Sequence, residues 1–166
     1  MDVRQVIASQ YNASLEMLRQ TIEACPDSLW ADPEPENAFW HIAYHALFYT
    51  HLYLQPSEED FTPWERHRAE HQFMGTLPWS PHREPKIGEP YSREELLNYL
   101  ELCLAQVEQQ VAALDLEAES GFEWLPFGKL ELQFYNIRHL QLHTGELMER
   151  LGAAGIHVDW VGARPS

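Results

Sequence analysis

The chain predicts an all-α fold, a bundle of four long helices with a long crossover between the second and the third. Apolar residues recur at three- and four-residue spacing over four separate stretches, and prolines and glycines gather between them. No apolar–polar alternation of useful length competes for a strand, and there is no internal repeat or low-complexity tract. At 166 residues, with 45% hydrophobic and 12% aromatic side chains, residues 1–166 are expected to form a single domain with a substantial core.

The first helix is expected from Asp2, a plausible N-cap, to about Ala24, with Val3, Val6, Ile7, Tyr11, Leu15, Leu18 and Ile22 as its inner stripe. Pro26 closes it, and Pro33 and Pro35 keep the chain irregular until Asn37, which can cap a second helix over about Ala38 to Leu54. That second stretch is apolar nearly all round, which predicts the most buried element. The region after Pro56 carries five further prolines, at 63, 78, 81, 85 and 90, and reads as a crossover of about 35 residues. It has one short helix expected from Pro63 to about Met74. Phe61, Trp64, Phe73, Met74, Leu77 and Trp79 predict that it packs on the body instead of floating. Ser92 with Glu95 makes a capping box that opens the third helix, which ends near Asp115. A loop from Gly121 to Gly128 follows, and the fourth helix runs from about Leu130 to Leu151, stopped by Gly152 and Gly155.

Eleven Lys and Arg against twenty-six Asp and Glu give a formal charge of -15, which repels nucleic-acid phosphates and acidic membrane surfaces, and no basic cluster offsets it. Partners of both kinds are therefore not expected. The start Met1-Asp2-Val3-Arg4 lacks the pattern of a signal peptide, and no stretch approaches the ~20 apolar residues of a membrane span, so a cytoplasmic protein is expected. Cys25 and Cys103 lie far apart in apolar patterns and read as small core thiols, neither a metal motif nor a disulfide framework.

Nine histidines include three HxxxH pairs: His41 with His45, His67 with His71, and His139 with His143. Four residues advance a helix by about 6 Å and roughly 40°, so two imidazoles at that spacing share a face and can share an ion. His67 and His71 lie in a polar, proline-flanked stretch and read as a solvated face. His51, His82 and His157 have no partner and read as surface or capping residues. The other two pairs sit on strongly apolar helices, where a buried neutral imidazole must satisfy two nitrogens. One histidine of the second helix, added to His139 and His143, makes a set that suits Zn, Ni, Cu or Fe. The competing reading is core histidines hydrogen-bonded to Tyr, Asn136 and backbone. Spacing alone does not separate His41 from His45.

The stretches Phe39-Trp40-His41-Ile42-Ala43-Tyr44-His45-Ala46-Leu47-Phe48 and Tyr135-Asn136-Ile137-Arg138-His139-Leu140-Gln141-Leu142-His143-Thr144-Gly145-Glu146-Leu147 resemble the second and fourth helices of the DinB-like superfamily of metal-binding four-helix bundles. That group includes YfiT-like proteins and bacterial thiol transferases. With the long crossover, the resemblance covers essentially the whole chain. It implies His45, His139 and His143 as ligands of a divalent ion, Zn2+ or Ni2+, with His41 the competing candidate. It also implies a homodimer.

Three neutral histidines leave the ion's charge uncompensated and at least one position open, a catalytic pattern more than a structural one. The resemblance to thiol transferases implies a metal-dependent transferase or hydrolase, acting on a small molecule with a low-molecular-weight thiol. The alternative is a non-enzymatic metal-binding or stress-response homodimer. Glu146, one turn beyond His143, is a candidate general base or partner to a ligand, against the reading of a solvated helix-end carboxylate. Arg138 is a candidate anion binder, although it points about 100° from His139, and a surface ion pair is the competing reading. Tyr44, Tyr49 and Tyr135 read as core or rim aromatics.

Overall fold

The computed structural model describes residues 2–164. Five helices follow one another: α1 (Val3–Ala24), α2 (Asp27–Trp30), α3 (Phe39–Tyr53), α4 (Arg93–Ala113) and α5 (Lys129–Ala153). Among the described residues there is no strand, only two isolated bridges. The four long helices close a ring of contacts: α1 packs on α4 and α5, and α3 packs on the same two. Among the described residues no helix is long and apolar enough to cross a membrane.

Local chemistry accounts for most of the boundaries. Asp2 accepts the Arg4 N–H at 3.0 Å and caps α1. Ser92 and Glu95 form the reciprocal capping box of α4, with bonds of 3.2 and 2.7 Å. The expected cap Asn37 is not used; Ala38 holds that position on α3, with no side-chain bond. The one-turn α2 was not expected.

The crossover between α3 and α4 departs from expectation in one respect. No helix forms over 63–74. Glu70 takes a left-handed φ of 70°, which interrupts any helix there, and its carboxylate is tied to the Arg83 guanidinium and the Lys86 N–H. The segment does pack on the body. Trp64 stacks on Tyr99 of α4, and Tyr91 on Tyr44 of α3, both with ring centroids 4.6 Å apart.

Two features fix the loop before α5. Lys129 is 2% exposed and donates to the carbonyls of Gln55, Pro56 and Ser120; burial pushes its ammonium down to about 8. Gly121, at φ +84°, lies so close to the Pro56 carbonyl that a Cβ would stand 2.1 Å from its oxygen. Both contacts join this loop to the end of α3. Cys25 and Cys103 are buried, as expected.

Candidate metal centre

Helix α3 is buried almost all round, and its two half-exposed residues, His45 and Tyr49, mark its open side. Opposite them α5 presents His139 and His143, one turn apart. Because α3 packs on α5, the three imidazoles meet, each with one ring nitrogen within 4.8 Å of the others. His139 Nε2 lies 3.1 Å from His45 Nε2 and 3.2 Å from His143 Nε2.

These three residues are close enough to hold a metal ion, and their hydrogen bonds fit that use. At zinc–nitrogen distances of about 2.0–2.1 Å, two tetrahedral ligand atoms stand about 3.3 Å apart. His45 Nδ1 donates to the Gln72 carbonyl at 2.7 Å, and His143 Nδ1 to Glu146 Oε2 at 2.7 Å. Both partners accept only, so both Nδ1 atoms carry the proton and both Nε2 lone pairs face the gap. His139 differs. Its Nδ1 is buried without a partner, and its ring is held by packing, stacked on Tyr135 and edge-on to Tyr49. Two of the three candidate ligands thus have the orienting partner usual for metal-bound histidine, and the third has none.

Burial keeps His45 and His139 neutral. It pushes His45 down to about 3, with further lowering from His143 and His139, and pushes His139 down to about 4, assisted by His143. Neutral imidazole is the form that binds metal.

His41, the competing candidate, lies elsewhere. Its Nε2 donates to the His71 carbonyl at 2.9 Å and its ring stacks on Trp40, so it fastens the crossover to α3. The pair expected on a solvated face is not there either: His71 is 4% exposed and accepts the Gly88 N–H, while half-buried His67 meets the Tyr44 hydroxyl at 2.6 Å. His51, expected at the surface, is 5% exposed beside Tyr99. His82 and His157 are exposed, as expected. In each corrected case the burying partner comes from a distant segment.

A cavity of about 660 Å³ opens beside the triad, with His45 and His139 in its wall. Tyr49, Tyr53 and Tyr135 line it as well, which makes Tyr49 and Tyr135 rim aromatics, whereas Tyr44 is fully buried. Glu146 is half exposed and engaged by His143, on the side of that ring away from the triad. Arg138 is exposed, with its guanidinium 5.5 Å from the Tyr135 ring centre, and does not line this cavity. Gln72 and Trp124 are cavity residues that sequence reasoning did not single out, and Trp79, expected to pack on the body, stands 65% exposed in the cavity wall. No protein-family model, curated protein or solved structure matches the chain.

Proposed function

We propose that the chain is a DinB-like helical-bundle protein that binds one divalent ion, zinc or nickel, through His45, His139 and His143. On this reading it is a metal-dependent transferase or hydrolase that takes a low-molecular-weight thiol as one reactant. The observation that carries the reading is the convergence of three Nε2 atoms, two with tautomers fixed by acceptor-only partners, at the wall of an apolar cavity. Three protein ligands are the number typical of catalytic zinc sites.

When bound, such an ion supplies a Lewis acid that lowers the pKa of a coordinated water or thiol. The chain's own residues do the rest. Gln72 and Glu146 hold the His45 and His143 rings in place, and the aromatic cavity forms the approach to His45 and His139. Glu146 serves as a positioning residue, because its carboxylate is committed to His143 Nδ1.

Elemental analysis of the purified chain, followed by assay of glutathione, bacillithiol and mycothiol against a generic electrophile, tests the proposal. One ion per chain and metal-dependent, thiol-dependent turnover are expected. A chain that binds no divalent ion sinks it. A second reading, a non-enzymatic metal-binding homodimer, draws support from exposed Phe134 and Leu142 on α5 and nearby Trp160, 59%, 59% and 76% exposed. Bound metal without turnover, in a chain that sediments as a dimer, favours that reading.

A further inference from the structure

The cavity beside the triad has two ends. At one stand His45 and His139, with the Tyr49 ring centre 4.8 and 5.5 Å from theirs. Tyr53, 5.6 Å from Tyr49 and one turn further along α3, leads to the other, where the Trp124 indole N–H donates to the Tyr53 hydroxyl at 3.3 Å. Eight residues of helix place Tyr53 about 12 Å from His45 along the axis. Glu58 belongs to this far end: its N–H donates to the carbonyl of Gly121, at the start of the loop that carries Trp124, and its exposed side chain lines the cavity. The volume, about 660 Å³, falls within the range of about 300–1,000 Å³ typical of small-molecule sites.

Two indoles in the wall are left to water. Trp79 and Trp124 stay 65% and 49% exposed. The face of an aromatic ring attracts a cation within about 6 Å, and tryptophan attracts it best. Among the described residues no Lys or Arg lines the cavity, and none stands over Tyr49, Tyr53, Trp79 or Trp124. The one formally charged lining side chain outside the histidines is Glu58, and the chain as a whole carries -15.

Charge and hydration together narrow the occupant. An anionic group entering here gives up its water with no cationic side chain to receive it. A primary ammonium brings three N–H donors, more than an aromatic wall can satisfy. An alkylated ammonium needs no such acceptors, and it gains from ring faces and from a nearby carboxylate.

We infer that the far end of this cavity takes the alkylated ammonium group of a small molecule, received by the indoles of Trp79 and Trp124 with Glu58 at the rim. That this molecule is the substrate rests on the metal-centre reading, which puts its reacting group at the His45 end; its binding rests on the cavity alone.

Three phenols that differ in one tetrahedral substituent test it: 3-hydroxyphenyltrimethylammonium, its neutral isostere 3-tert-butylphenol, and 3-hydroxybenzenesulfonate. Calorimetry on the full chain, with and without zinc, reads binding at about 0.15 M salt, where the general pull of the net charge is screened beyond about 8 Å. In metal-free protein the cation should bind about fivefold more tightly than the isostere and more than about tenfold more tightly than the sulfonate. Trp79→Leu and Trp124→Leu should each lower the preference for cation over isostere at least about threefold. Glu58→Lys should lower the preference for cation over sulfonate at least about fivefold. Trp160→Leu, at an exposed indole outside this cavity, should leave both preferences within about twofold. Dichroism checks the fold of each variant. Zinc should change cation affinity by less than about threefold, because the two charges lie further apart than the screening length.

An isostere that binds as well as the cation, a preference that survives either indole replacement or the Glu58 reversal, a loss in Trp160→Leu, or no saturable binding overturns the inference. A fall of more than about tenfold on adding zinc does so too, since it puts the ammonium at the histidine end. Zinc uptake without cation preference defeats this inference alone. Cation preference without zinc uptake defeats the metal reading alone.

Discussion

Removing the Glu146 carboxylate should weaken metal binding without removing any ligand atom. Its Oε2 accepts the His143 Nδ1 proton at 2.7 Å, which fixes the ring's orientation and the tautomer with a free Nε2 lone pair. Loss of such a partner costs about 10- to 100-fold in metal affinity, or about 1.4–2.7 kcal/mol. The Glu146 side chain is 46% exposed, so water can replace the carboxylate in part and screens its charge. The lower end applies: about tenfold for Glu146→Ala. Glu146→Gln keeps an acceptor and loses the charge, so about threefold is expected. Competition against a chelator of known zinc affinity measures both, at low salt and again at high salt. An oriented bond persists when salt is raised, whereas a general field effect of an exposed charge fades over the ~10 Å screening length of moderate salt. Wild-type affinity in Glu146→Ala would refute the positioning role, and an effect abolished by salt would reduce it to a surface charge.

Single replacement of His45, His139 or His143 by Ala should abolish stoichiometric zinc binding, while His41→Ala should keep it and lower the thermal midpoint, because the buried His71 carbonyl loses its donor at about 1–3 kcal/mol; the opposite pattern in elemental analysis would move the site to His41. Chelated protein should remain helical by dichroism and rebind metal, since the ring of four packed helices does not depend on the ion; cooperative unfolding on chelation would make the site structural. Metal-free protein should lose stability as pH falls from about 6.5 toward 4, because His45, His51 and His139 have folded-state values lowered by burial to about 3, 4 and 4 and the unfolded chain takes up those protons first. Each contributes up to about 1.4 kcal/mol per pH unit in that window, and a thermal midpoint unchanged between pH 7 and 5 would contradict it. Gly121→Ala should cost more than about 2 kcal/mol of stability and so lower the urea midpoint, since the new Cβ meets main-chain atoms at 2.1 and 2.9 Å; a wild-type midpoint would show that the loop does not approach Pro56.

The long helices were legible because their signals are local. Periodicity, the Ser92–Glu95 box and the flanking prolines and glycines placed four helices to within about two residues at each end. The expected helix over 63–74 failed for a non-local reason, since the Glu70 carboxylate is held by groups 13 and 16 residues further on. The one-turn α2 is too short for periodicity to register, although Pro26 followed by Asp27 was an available start signal. His139 and His143 stood out by spacing together with their apolar helical context, since spacing alone they share with two other pairs. His45 did not separate from His41, because α3 is buried on nearly every side and only the tertiary neighbours, α5 for one and the His71 carbonyl for the other, distinguish them. Gln72 gave no signal, being a polar residue in an irregular stretch whose importance comes entirely from what it touches.

The crossover belongs to the site as much as the helices do. It supplies the carbonyl that orients His45, the carbonyl that occupies His41, and Phe61, Gln72 and Trp79 to the cavity wall. The His45 tautomer that the Gln72 carbonyl requires, with its proton on Nδ1, is also the tautomer that leaves Nε2 free for a metal. Ligand geometry and cavity wall therefore share one hydrogen bond. A bundle joined by a short turn at this point would retain a histidine on α3 facing the pair on α5, yet lack both the acceptor that fixes its tautomer and one side of the cavity. That dependence gives the proline-rich segment a physical reason to be long, and to lie packed against α3 through His71 and Tyr91.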